Sequence, residues 1–275
     1  MAKEKITGQF DWRVPQIVPS FVQGKDALAI YNSIKDLGLG LGWMDYDENS
    51  KLVKGDNVFI SAKIDTQLQP LGIRVANLRD CGRTEVMGMV KGQYYTIPPA
   101  LVLRTIKDSY EKNLPLIKKL TELVEEKNRR LELPALITGF DVQPLGNEGY
   151  RVDIIARDDF ASVSDERLKE KYHGKTFSEV DEIGLPKFDK NGIRTWYARN
   201  EGLSRLYLCR DLDLYSNSGD LADSNADGRV VVVSGEATPQ KINEYAQNLQ
   251  TQRDKQIAQV NDRYAKAEAV LRGEN

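Results

Sequence analysis

Apolar residues recur along this chain at two spacings, and the alternation between them divides it. Ala27, Ile30, Ile34 and Leu37 fall on one face of a helix over Asp26–Leu37, which Gly38 ends. Before it, Pro15 and Pro19 forbid a long helix, so residues 1–24 read as an extended arm. Beyond it, Val58–Ile64, Gly72–Leu78 and Glu85–Val90 are short, β-rich and bounded by turn residues, which predicts a small antiparallel sheet.

The spacing then changes. Leu103, Tyr110, Ile117, Val124 and Leu131 recur every seventh residue after Pro98-Pro99. This predicts one long helical arm over 98–133, kinked at Pro115 and closed by Pro134. Period-two runs return at Ile137–Val142, Tyr150–Ala156, Ile193–Arg199 and Ser204–Arg210. Arg229–Ser234 is apolar on both faces and reads as a central buried strand. A short helix from Asp165 ends at His173-Gly174, where His173 would serve the helix terminus. After Thr238-Pro239, Leu249, Val260 and Leu271 stand eleven residues apart, which predicts a long C-terminal helix with a nearly straight seam.

The fold expected is therefore α+β. Two small antiparallel β-rich modules, 1–97 and 134–237, are joined by the helical arm 98–133, and a second coiled-coil-like helix, 238–275, follows.

Composition narrows the function classes. The 275 residues are 40% hydrophobic and 29% charged with a net charge of -2, which describes a globular chain with no global attraction to nucleic acid or an anionic membrane. No apolar run approaches a membrane span and no secretory h-region opens the chain, so a cytoplasmic protein is expected. Cys81 and Cys209 carry no metal or disulfide pattern, which fits a reduced pair. His173 is the one histidine, so a serine–histidine–aspartate triad, a facial-triad iron site and a Cys/His zinc site lack their parts.

Three constellations carry candidate chemistry. Asp223, Asn225 and Asp227 place oxygens at the first, third and fifth positions of a calcium-type loop with Gly228 sixth. The Arg229 carbonyl and Glu236 would add ligands, although Ser234 occupies the twelfth position where a bidentate glutamate belongs. The same residues also suit a polar hairpin loop of Asx turns.

Arg194, Trp196, Tyr197, Arg205 and Tyr207 could form an arginine-edged aromatic surface for single-stranded nucleic acid, or a sheet whose aromatics are core. Asp158-Asp159 is a carboxylate pair, but neighbours on a strand point to opposite faces. The function expected is a non-enzymatic interaction or assembly protein, homo-oligomeric or bound to a protein partner through helices 98–133 and 238–273, with calcium as its candidate ion. Single-strand binding is the alternative, and an enzyme with an Asp/Glu/Lys site is the weaker one.

Overall fold

The computed structural model describes residues 17–24, 27–37, 41–127, 130–146 and 149–234. The expected C-terminal helix and its eleven-residue seam lie outside the described residues, as do Glu236 and most of the N-terminal arm.

In chain order the first half contains β1 (Val18–Phe21), α1 (Ala27–Lys35), β2 (Asp45–Asp47), β3 (Leu52–Lys54), α2 (Val58–Leu68), β4 (Arg74–Val75), α3 (Thr84–Val90), β5 (Ala100–Leu103) and α4 (Leu114–Glu126). Two long strands follow, β6 (Ala135–Pro144) and β7 (Val152–Ser164). The remainder is β8 (Lys175–Val180), β9 (Pro186–Phe188), β10 (Arg194–Ala198), β11 (Leu203–Arg205), β12 (Tyr207–Leu208), β13 (Leu214–Ser216) and β14 (Val231–Ser234).

These strands build sheets in the orders β1-β14-β4, β12-β13-β10-β8-β9 and β11-β5-β6-β7, beside a β2-β3 hairpin. The two expected β modules therefore do not exist as separate sheets. Val231–Ser234 pairs with Val18–Phe21 on one side and with Arg74–Val75 on the other, and β5 pairs with both β6 and β11. Ile17–Ser234 forms one compact unit.

Burial on both faces explains this interleaving. On β5, Leu101 and Leu103 enter one apolar cluster with α2, α4 and the inner face of β6, while Ala100 and Val102 enter a second with Phe177, Trp196 and Leu214. On β14, Val232 faces the first cluster and Val231 and Val233 the second. The doubly apolar reading of Arg229–Ser234 thus describes a middle strand, although its neighbours come from the start of the chain.

The kinked central helix is overturned. Ala100–Leu103 is strand, buried at all four positions, and only Leu114–Glu126 is α-helix. Pro115 sits in the first turn of α4, where its missing N–H costs nothing. Leu116, Ile117, Leu120, Leu123 and Val124 then bury one stripe at helical spacing. The seven-residue recurrence crosses a strand, an irregular segment and a helix, so it is no coiled-coil seam.

Two expected strands are helices. In α2, Asn57 caps the N-terminus by accepting from the Phe59 and Ile60 amides, both at 3.0 Å. Val58, Phe59, Ile60, Ala62, Ile64 and Leu68 are all buried, so the helix is covered nearly all round. Such burial erases the polar stripe that marks a helix in sequence and leaves β-branched composition as the misleading signal. Glu85–Val90 is likewise helical within α3. Among the described residues no helix is long and apolar enough to cross a membrane.

Candidate functional site

The loop between β13 and β14 is stitched into the body by its own oxygens. Arg205 donates to the Asp223 carboxylate at 2.5 Å and also to the Asp223 carbonyl. The Asn225 side-chain oxygen accepts from the Asp227 amide at 2.8 Å, an Asx turn, and the Asn225 carbonyl accepts from Gly228 at 3.1 Å. The Arg229 guanidinium donates to the carbonyls of Ala226 at 2.6 Å and Gly228 at 2.7 Å, and lies 4.5 Å over the Tyr94 ring.

Arg205 thus holds the Asp223 carboxylate that a calcium ion would need, and the charges of Arg205 and Arg229 oppose a cation. Among the described residues no three His, Cys, Asp or Glu side chains gather as a metal site. Among the described residues Asp223, Asn225, Asp227 and Arg229 therefore form an arginine-braced Asx-turn loop, and no calcium site is shown there.

The arginine–aromatic set divides between core and surface. Burial on β10 alternates, with Arg194, Trp196 and Ala198 inside and Tyr197 half-buried. The Arg194 guanidinium stacks 4.6 Å from the Phe177 ring and donates to the Leu212 carbonyl at 2.5 Å. Trp196 is fully buried and Arg205 nearly so.

Tyr197 and Tyr207 do come together, through a ring the sequence reading left out. Tyr215 lies between them, 4.4 Å from Tyr197 and 4.8 Å from Tyr207, with interplanar angles of 13° and 10°. His173 meets Tyr197 edge-on at 5.3 Å and Tyr95 meets Tyr207 edge-on at 6.4 Å, so each end of the stack has an aromatic neighbour. The three half-buried rings use faces on one another, which leaves less ring surface for a base to stack on. His173 follows two 3-10 turns rather than the short helix expected from Asp165, and its Nδ1 lies 2.8 Å from the Ala198 carbonyl.

The most developed surface feature lies along β7. Its register against β6 runs from Ala135↔Ser164 to Thr138↔Ala161, then resumes at Phe140↔Ala156. Residues 157–160 therefore oppose Gly139 alone, as an extended bulge. Gly139, at φ +72°, approaches so closely that a Cβ would stand 2.3 Å from the Asp159 carbonyl oxygen.

Arg157 leaves this bulge to grip Asp159 through two bonds, at 2.9 and 2.8 Å, and Asp65 of α2 at 2.6 Å. Burial opposes ionisation of Asp159, but the Arg157 fork overrides it and holds the carboxyl below its ordinary range. These charges rim a cavity of about 340 Å³ whose apolar wall includes Pro98, Pro99, Leu136, Ala161 and Val163. Sequence spacing could not have brought Asp65 and Arg157 together. The Asp158-Asp159 pair is no shared-proton dyad, since Asp159 belongs to Arg157.

No family model, curated protein or solved structure matches the chain. A functional reading therefore rests on this geometry alone.

Proposed function

We propose that the chain is a non-enzymatic assembly protein that self-associates through the outer edge of β7. The observation that supports it is the strand itself. Thirteen residues long, β7 pairs with β6 on one side, and among the described residues no strand pairs with the other. An unpaired edge offers a row of backbone donors and acceptors to another strand.

Charges and bulges ordinarily protect such edges, and the bulge keeps Asp158 and Asp159 exposed. Its Arg157, however, is turned inward onto Asp65, and these charges lie beyond the half of the strand that precedes the bulge. The half of β7 before the bulge, Val152–Ala156, remains regular and leaves Ile155 39% exposed. Antiparallel pairing of this half with its copy about a two-fold axis uses the same surface on both partners. The two cysteines are free, one buried and one half-buried, which suits the reducing cytoplasm proposed for it.

Light scattering over a concentration series tests this reading. The wild type is expected to dimerise, and Ile155→Lys to remain monomeric with an unchanged thermal midpoint. A strictly monomeric wild type, or a variant that dimerises as well, overturns it.

A further inference from the structure

Arg104 follows β5 and turns its guanidinium into the protein, leaving the residue 5% exposed. Its Nε donates to the Leu168 carbonyl at 2.6 Å, and its two terminal nitrogens donate to Ser204 at 2.7 Å and Ser216 at 2.9 Å. All three acceptors are neutral. They occupy three of the five N–H donors of a guanidinium and leave its charge without a counter-charge.

Among the described residues no carboxylate pairs with Arg104. Asp108, the nearby buried acid, is taken by Arg199 at 2.9 Å. Burial and the Arg199 charge together push the Arg104 pKa down to about 9, so the group still carries its proton at neutral pH.

Arg104 also lines a cavity of about 340 Å³ with Thr105, Leu133, Pro134, Lys169, Glu170, Lys171 and Asn200. Lys169 and Lys171 share Glu166, at 2.5 and 3.2 Å. The cations lining the cavity outnumber Glu170 and the Glu166 behind it. Glu166 and Glu170 balance Lys169 and Lys171, so the excess positive charge at the cavity is that of the buried, uncompensated Arg104, an arrangement that an anion completes.

We propose that this cavity binds a small organic anion whose carboxylate or phosphate group is held by Arg104 and the Lys169/Lys171 rim, with its apolar part against Leu133 and Pro134. The site is independent of the β7 edge. It differs from a helix-terminus anion site in that a buried side chain supplies the charge.

Thermal melts of the full chain at fixed pH and ionic strength test it, with sodium phosphate or sodium butyrate replacing chloride. A saturable rise in the midpoint is expected with at least one of them, since binding to the native state alone must stabilise it. A rise with butyrate alone identifies a carboxylate ligand, and with phosphate alone a phosphoryl one. Lys169→Glu/Lys171→Glu should raise the half-saturating concentration roughly tenfold, equivalent to about 1.4 kcal/mol. Arg104→Gln should abolish the response.

Because Arg104→Gln risks misfolding, the wild-type Arg104 Nε–H resonance provides a second readout and should shift saturably with the same anion. No rise beyond chloride with either salt overturns the site. So does an unmoved Arg104 resonance, or a rim or Arg104 variant that responds like the wild type.

Discussion

Gly228 packs directly against the backbone of Asp56, where a Cβ on Gly228 would stand 2.5 Å from the Asp56 nitrogen and 2.8 Å from the Tyr95 hydroxyl oxygen. The glycine at the sixth position of the calcium-like spacing therefore serves close approach, and its φ lies outside the left-handed region. Gly228→Ala should destabilise the protein by about 1–3 kcal/mol, the usual cost of overpacking. A lower urea midpoint at unchanged m-value is the expected result. An unchanged midpoint would show that the loop and the start of α2 can separate freely.

Asp56 itself is fully buried, and its carboxyl accepts from the Ser61 hydroxyl at 2.6 Å, the Ile97 amide at 2.6 Å and the Thr96 hydroxyl at 3.3 Å. Burial raises its pKa to about 8 against the pull of these donors and of Arg205. Across the window from about 4 to about 8 the folded state keeps a proton that the unfolded chain has released. This group's contribution is therefore complete below about pH 4 and lost as pH rises through about 8, with a slope of at most ~1.4 kcal/mol per pH unit. Asp56→Asn removes the titration. The stability gap between wild type and variant should narrow from pH 5 to pH 8 in denaturant titrations, whereas a constant gap would show that Asp56 is ionised throughout.

What the sequence made legible follows from how each element is buried. The strands β6, β7 and β10 announce themselves because bounding turns and β-rich runs survive in a sheet with one partly wet face. The helix α2 hides because it is surrounded, and the seven-residue recurrence misleads because Leu103 and Tyr110 serve the same core from a strand and a loop. Candidate chemistry fared similarly. The spacing of Asp223, Asn225 and Asp227 is what an Asx turn also requires, so it could not separate an ion from a loop. The Asp65–Arg157 and Arg104–Ser216 contacts join residues 92 and 112 positions apart, and no local pattern encodes such meetings.

Arg157 ties two carboxylates of unequal consequence. The Asp65 side chain is 6% exposed and that of Asp159 is 56% exposed. Asp65 also accepts from the Val75 amide at 2.7 Å, so it anchors β4 to α2. Arg157→Ala should cost roughly 3–5 kcal/mol, because it leaves Asp65 buried without its cation. Asp159→Asn removes the exposed half and should cost under about 1 kcal/mol. Chemical denaturation of both variants distinguishes the two, and comparable losses would show that the bulge, rather than the Asp65 anchor, depends on the pair.

Trp196 separates packing from polar satisfaction in the second core. The ring is fully buried, and among the described residues no acceptor faces its Nε1. Trp196→Phe removes that unsatisfied donor along with part of the ring, so the relief of one penalty offsets part of the lost packing. Trp196→Ala empties the site and should cost about 3–5 kcal/mol. The Phe variant is expected to lose about 1 kcal/mol, less than an aromatic truncation would suggest, because Phe177 and Leu214 of the same cluster still flank a ring. Equal losses in the two variants would show that relief of the unsatisfied donor and the remaining phenyl ring offset none of the lost packing. Full stability in both would place Trp196 outside the core and restore it as a surface residue.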